Sequence, residues 1–576
     1  MKNKKTLFYA LFCIAVMLSF TACNKDEEVS EPEQPDKLTP LCFTAEQDSA
    51  YVWFARTSNI PFPNLEYSRD LENWIPLTED SSSTTFLHSM LIPKTGDKIY
   101  VRNQGKTNTF SISPEDHFQF FTDGYVSASG NIMSLIDKDC NTLEVPCDYA
   151  FCCLFAYCPE LLSAPELPAT TLTENCYNSM FLNCTALEKA PSVLPAKVLK
   201  PYCYESMFYN CEELQQTPTI AATTLAPYCF RYAFEGCISL TKVSALPATE
   251  MADYCYYRMF HGCSSLTTAP ELPATTLANE CYAGMFEQCS SLQKAPKVLP
   301  ATTMKDKCYF LMFCECPNLE NAPELPATEL AYGCYYGMFA QCSKLQYVPE
   351  SLPAKTLANE CYGYMFYGCN RLQTLPTIEA TTVAPGCCYA MFSNCTSATQ
   401  CQSELPANVM ENDCYAYMFA SCQNLSTLPQ LPATTLAASC YEYMFAECAA
   451  SRAPLLPATT LAPYCYSNMF LDCTNMNYVE VAFDQWTTEG ATIDWLNNVN
   501  SIGTFVCPSN LSDERGASRI PTGWIKTTST NTRNVGAEKS SIRHHRPTGK
   551  GLVHRPIPQK TDAPSHDRNP FRVKGA

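Results

Sequence analysis

This chain has little of what enzymes and nucleic-acid binders usually depend on. Of its 576 residues only seven are histidine, and four of those (His544, His545, His554, His566) fall in the last stretch. His88, His117 and His261 are left for the rest. There is no Gly-x-Ser-x-Gly, no His-Glu-x-x-His and no phosphate-binding glycine loop, and no carboxylate pair is set apart by its surroundings. Nothing in the chain therefore specifies an enzyme. Positive charge is also scarce: 39 Lys and Arg face 57 Asp and Glu, for a net charge of −18 and a pI near 4.9, which argues against a nucleic-acid partner. The N-terminal apolar run from Leu7 to Phe20 is too short to cross a bilayer. The length exceeds what a single core holds, so several domains are needed.

What is abundant is cysteine, with 36 residues, and it is periodic. The unit Cys-Tyr-x-x-Met-Phe-x-x-Cys-x-x-Leu begins at Cys176, Cys203, Cys229, Cys255 and onward to Cys465, at intervals of 25 to 27 residues. A fixed period of this size is the signature of a solenoid, in which each repeat buries its apolar face against its neighbours. With the leading Cys as position 0, +5 is Phe and +8 is Cys in every unit. Representative sets are Cys176, Phe181 and Cys184; Cys255, Phe260 and Cys263; Cys334, Phe339 and Cys342; and Cys414, Phe419 and Cys422. At ~100° per residue, positions 0, +1, +4, +5 and +8 share one stripe, which predicts a short amphipathic helix facing the core. The residues after +8 are short and extended before Pro-x-Leu-Pro-Ala, and proline limits a strand there to a few residues. Each unit reads as short strand, proline turn and short helix. A degenerate unit with Ala150 at position 0 precedes the series, giving about 13 turns and an array roughly 60 Å long at ~4.8 Å per strand.

Two states are open for the paired cysteines. Along a continuous helix 0 and +8 are ~12 Å apart, beyond the ~7 Å limit for a bridge, so a disulfide within a unit requires the helix to end early. The other state is two columns of buried thiols packing as small apolar groups. No metal or other cofactor is indicated: zinc motifs space cysteines two to four apart in matched pairs, and Cys152–Cys153 and Cys314–Cys316 have no matching partner pair.

These repeats resemble the leucine-rich repeats of the treponeme and Bacteroides surface-protein type, whose unit carries Ala-Phe-x-x-Cys-x-x-Leu. Met-Phe-x-x-Cys-x-x-Leu matches that core across residues 150–480, departing from it by Cys at position 0 in place of Ile. The resemblance implies an α/β solenoid, a right-handed superhelix with a parallel sheet on one face, and a surface-exposed adhesion or host-interaction protein without enzymatic activity.

The remaining segments divide the chain. Residues 1–22 read as a signal peptide. Phe20-Thr21-Ala22-Cys23 resembles a lipobox, which implies a lipid anchor on Cys23, and the acidic tether 23–37 resembles the export signal of Bacteroidota surface lipoproteins; together they imply an outer-membrane lipoprotein displayed on the cell surface. Residues 38–140 read as a small antiparallel β domain of sandwich type, 141–480 as the solenoid, 481–526 as its C-terminal cap, and 527–576 as a disordered tail. The tail holds ten Lys and Arg against three Asp and Glu, or +7, which leaves −25 for the rest.

The expected partner is a macromolecule, protein or glycan, and not nucleic acid. Candidate contacts are Glu166, Glu271, Glu324 and Glu350 beside the proline turn, which otherwise are solvated charges. A glycan platform could come from Tyr257, Tyr336, Tyr364, Tyr417 and Tyr443, or from Trp53 and Trp74, whose alternative role is packing. All five Trp lie outside the repeats.

Overall fold

The computed structural model describes residues 39–528, apart from 58, 59, 62 and 79–85. Cys23, the signal and tether segments and nearly all of the basic tail lie outside the described residues. The described part of the chain is one compact unit.

Nine strands open the chain: β1 (Leu41–Ala45), β2 (Ala50–Arg56), β3 (Leu65–Ser68), β4 (Ile75–Pro76), β5 (Phe86–Ile92), β6 (Lys98–Asn103), β7 (Phe118–Asp123), β8 (Val126–Ser129) and β9 (Leu161–Ser163). Alternating apolar residues set their faces, as in β6, where Ile99 and Val101 are buried while Lys98 is exposed. One sheet runs β4-β3-β6-β1-β8-β9 and a second runs β5-β2-β7. Phe43 of the first meets Phe120 of the second at 5.1 Å between ring centres. Every pairing is antiparallel except β8 with β9, which is parallel. Because β9 belongs to the first repeat, the domain's sheet runs directly into the repeats. Phe120 and Phe43 also stand 5.6 and 6.1 Å from Phe155, the +5 ring of that repeat.

Each repeat is joined to the next by parallel backbone ladders. One passes through +13, as in Thr268↔Lys294, Lys294↔Asn321 and Asn321↔Tyr347. A second lies just past the proline and includes β10 (Val193–Leu194) with β11 (Thr219–Ile220) and β12 (Ser351–Leu352) with β13 (Thr377–Ile378). A third passes through −5, as in Thr356↔Thr382.

The expected helix does not form. Among the described residues there is no α-helix, only one 3₁₀ turn at Ile132–Leu135. Cys-Tyr-x-x-Met-Phe-x-x-Cys is instead a ribbon of linked β-turns with a left-handed corner every fourth residue, at −1, +3 and +7. In the first full unit these are Asn175, Ser179 and Asn183, with φ of 55°, 54° and 57°. Backbone N–H groups alternate in role. Those of Met180, Leu182 and Cys184 close turns onto Tyr177, Ser179 and Phe181, while those of Tyr177, Ser179, Phe181 and Asn183 reach the next repeat at Cys203, Glu205, Met207 and Tyr209, at 2.8–3.0 Å. A nine-residue helix is marginal alone, whereas here half of the N–H groups tie neighbouring coils together. The same correction applies in every unit. Phe260 and Phe419, expected on helices, sit in turns instead: their N–H groups cross to Met285 at 3.0 Å and to Met444 at 2.9 Å in the following coils. The stripe survives the change of backbone, because 0, +4 and +8 recur on a period of four as readily as on one of 3.6.

The core is built of columns. The +5 rings stack from Phe155 through Phe470. Phe260 lies on Phe286 at 5.7 Å, Phe313 on Phe339 at 5.7 Å, Phe339 on Phe366 at 5.5 Å and Phe392 on Phe419 at 5.6 Å. The +1 rings form a second column, Tyr309 on Tyr335 on Tyr362 at 5.7 and 5.9 Å, interrupted where Cys388 replaces tyrosine. The representative core residues named from the sequence keep their burial although they lose the helix. Cys176, Phe181, Cys184, Cys255, Phe260, Cys263, Cys334, Phe339, Cys342, Cys414, Phe419 and Cys422 are all at most 1% exposed.

The described cysteines are thiols. In each unit the +8 sulfur donates to the +5 carbonyl of the preceding repeat: Cys184 to Phe155 at 3.0 Å, Cys342 to Phe313 at 3.1 Å, Cys422 to Phe392 at 3.2 Å. Translation from coil to coil, by about 4.8 Å, keeps successive Cβ atoms about that far apart, whereas a disulfide draws them to about 3.5–4.5 Å.

Past Cys473 the ribbon continues. Gly490, Asp494 and Asn498 repeat the corners, with φ of 62°, 45° and 55°, and Trp495 fills the place Met holds at +4. A sheet of β14 (Tyr478–Glu480), β15 (Thr504–Cys507) and β16 (Ile525–Thr528) follows in parallel, with Trp486, Phe505 and Trp524 buried around it.

A groove along the strand side

The side of each coil opposite in chain order to the ribbon carries the surface that changes from unit to unit. Leu at +11 is buried and anchors the segment, as with Leu345 and Leu372. The residue at +13 is held in the first ladder and turned outward, and the proline that follows is buried in several units, among them Pro349 and Pro376. The second ladder then begins. An open groove runs between the two ladders, and hollows lie along it.

One hollow, of about 730 Å³, is lined by Gln346, Tyr347, Glu350, Arg371, Gln373 and Thr374, among others. Tyr347 is 64% exposed. The side chains of Arg371 and Glu350 are exposed and make no hydrogen bond or ion pair with any described residue. A second hollow of about 530 Å³ includes Glu166, Lys189, Gln216, Ser192 and Lys242. There the Glu166 carboxylate already accepts from the Ser192 hydroxyl at 2.7 Å and from its N–H at 3.2 Å. A third of about 360 Å³ includes Arg452, Tyr478 and Glu480. The Arg452 guanidinium lies 3.5 Å over the Tyr478 ring, and the Tyr478 hydroxyl donates to Glu480 at 2.9 Å. Burial and that carboxylate raise the phenol's pKa. Each hollow thus offers a cation, amide or hydroxyl groups and a carboxylate around an apolar floor. Such a surface can bind.

The four glutamates fall in one column at +16. Glu166 and Glu350 line hollows; Glu271 accepts from the Lys297 N–H at 3.3 Å; Glu324 is exposed, with its backbone paired to Val298. The tyrosines are placed elsewhere. All five lie on the turn ribbon, where rings cover rings: Tyr417 on Tyr443 at 4.6 Å and 10°, Phe310 on Tyr336 at 5.3 Å and 13°, and Tyr257 edge-on to Tyr232 at 5.5 Å. Tyr364 is only 5% exposed. In the stacked pairs a neighbouring ring occupies a face, whereas a sugar ring packs on a face. Trp53 stacks on Tyr51 at 5.9 Å. Trp74 is covered by Arg102 at 3.7 Å, which is itself held by Glu66 at 2.8 Å. Tyr347 and Arg371, both exposed in the 730 Å³ hollow, carry no periodic signal, because these positions vary between repeats.

Among the described residues no group of three or more His, Cys, Asp or Glu is arranged to hold a metal ion, and no helix is long and apolar enough to cross a membrane.

Comparison with solved structures finds a leucine-rich repeat protein from Bacteroides ovatus, 13% identical, covering 82% of this chain and all of that one, with a TM-score of 0.36. Another from Eubacterium ventriosum is 14% identical, covers 57% of this chain and 85% of that one, and has a TM-score of 0.27. No curated protein matches. The model of the BspA type leucine rich repeat region matches in six copies, over residues 205–346, 309–449 and 391–513, more than half of the chain. With Phe at +5 and Cys at +8 locked into the same buried columns from unit to unit, and Leu at +11 beside them in most units, the chain belongs to the BspA-type leucine-rich repeat family.

Proposed function

We propose that this protein is a non-enzymatic binding protein of a bacterial cell surface, which holds a macromolecular partner along the groove between its first and second ladders and so mediates adhesion to host or neighbouring-cell molecules. The observation that carries this is the groove itself. A fixed core of stacked rings supports open hollows on one side, each with a different set of outward residues. The same reading takes the repeats as a right-handed solenoid and Cys23 as the lipid anchor that displays it. A second reading, capture of polysaccharide, is favoured by the exposed Tyr347 ring beside Gln346, Gln373 and Glu350.

The test is binding of the purified protein to panels of extracellular-matrix proteins and of glycans, with Tyr347→Ala and Arg371→Glu compared with Tyr443→Ala on the ribbon. Groove variants should lose roughly tenfold in affinity, about 1.4 kcal/mol, while Tyr443→Ala binds as the parent does. Equal losses in all three would refute the groove. The panel that responds separates adhesion from glycan capture. For the anchor, Cys23→Ala should release the protein from the membrane fraction, and protease added to intact cells should cleave the parent. Protection until lysis would place it inside the outer membrane.

A further inference from the structure

One pair of sulfurs stands apart from the columns. Cys152 and Cys153 sit at +2 and +3 of the first coil, with their Sγ atoms 3.6 Å apart. In the next coil these positions hold Asn178 and Ser179, and no later coil has a cysteine at either one. Cys152 is buried and Cys153 is partly exposed. Their backbone is fixed: Cys153 is a left-handed corner at φ 56°, its N–H donates to Asn178 at 3.0 Å, and the Cys152 N–H donates to Tyr149 at 2.9 Å. Of the other described cysteines only Cys147 and Cys401 are partly exposed, and their sulfurs face backbone carbonyls, of Ser111 at 3.8 Å and Thr427 at 3.6 Å. Cys387 and Cys388, the other neighbours in sequence, are fully buried.

We propose that Cys152 and Cys153 form a redox-active vicinal dithiol, a modification site at the seam between the β domain and the repeats, which a small-molecule disulfide closes to a vicinal disulfide. The partly exposed Cys153 thiolate attacks the co-reactant disulfide, forming a mixed disulfide and releasing one thiol. The Cys152 sulfur then attacks Cys153 Sγ, forming the Cys152–Cys153 bond and expelling the second thiol. Both protein protons leave on the two product thiols, the pair is oxidised by two electrons and the co-reactant is reduced by two. The partial exposure of Cys153 favours it as the first nucleophile, and its contact with Cys152 lowers that thiol's pKa from the ordinary value.

The experiment uses the full chain, reduced with a phosphine and then exposed to oxidised glutathione, alkylated, and mapped by peptide mass. The Cys152–Cys153 peptide should be two hydrogens lighter, with neither alkyl group nor glutathione, while Cys147 and Cys401 remain alkylated or glutathionylated. A stable glutathione adduct on Cys153, or alkylation of both residues, would overturn the proposal. In parallel, the reduced chain should retain phenylarsine oxide, as two thiols displace its oxygen as water. Cys153→Ser should lose this retention and Cys401→Ser should keep it; equal retention by both variants overturns the site. The mass map needs no variant, so a Cys153→Ser chain that misfolds leaves it intact.

Discussion

At the scale of single residues, the core columns make different demands on their members. Phe339 is fully buried between two stacked neighbours, so Phe339→Ala should cost about 3–5 kcal/mol through lost transfer and cavity terms. Chemical denaturation measures this, and a loss below about 1 kcal/mol would contradict the column. The tyrosine column holds the opposite sign. Tyr177, Tyr256, Tyr335 and Tyr415 bury hydroxyls with no hydrogen-bond partner among the described residues, and a stranded polar group costs about 1–3 kcal/mol. Phe230 already fills that position in one unit. Tyr335→Phe should therefore raise stability by on the order of 1 kcal/mol, read as an upward shift in melting temperature. The thiols predict a pH dependence. Burial pushes Cys184, Cys342 and Cys395 up to about 12 from an ordinary 9. The folded state thus keeps its protons where the unfolded state sheds them, so stability is full below pH 9 and falls as the pH rises from 9 towards 12. Alkaline titration followed by intrinsic fluorescence should show a cooperative loss in that window. Unchanged stability to pH 11 would mean that the thiols ionise in place.

At the scale of the element, the turn ribbon separates what the sequence made legible from what it did not. The buried positions were all readable, since Cys, Tyr, Met, Phe and Cys recur without drift. Their backbone was not, because over nine residues a period of four and a period of 3.6 diverge by less than one residue. The distinguishing sign sat at +7, where Asn183, Asn210, Gly236, Gly262, Gly368 and Asn394 supply the residues that tolerate a left-handed backbone. It was diluted at −1 and +3 by Tyr202, Glu280, Leu311 and Tyr364, whose corners are held by bonds to the next coil. Gly262 converts the difference into a sign. In a helix, Gly262→Ala would stabilise by about 1 kcal/mol. At its actual φ of 71°, the new Cβ has room, with its nearest neighbour at 3.9 Å, yet the backbone strain should cost about 1–2 kcal/mol. Of the groove only Glu166 and Glu350 were visible beforehand. Tyr347 and Arg371 occupy positions that carry no pattern, and only their meeting across adjacent coils marks them.

At the scale of the whole molecule, the β domain and the repeats share one sheet. Removing residues 39–140 would strip β8 from β9 and uncover Phe151 and Phe155, leaving a bare strand edge beside an apolar surface. Such an edge templates pairing with other chains, so the truncated protein should aggregate, as light scattering would show, while deletion of one whole unit such as 281–307 should leave a soluble, cooperatively melting array. A monodisperse truncated protein would mean that the first coil closes itself. The alternating hydrogen bonds of the ribbon also carry a mechanical consequence. Drawn from its two ends, the array can lose one coil at a time, because each coil is bonded only to its neighbours. Each rupture would pay out a unit of 26 or so residues, roughly 90 Å of slack at about 3.4 Å per residue, while the coils still seated keep their stacked rings. A tether of this kind lengthens in steps under load and holds through many small failures.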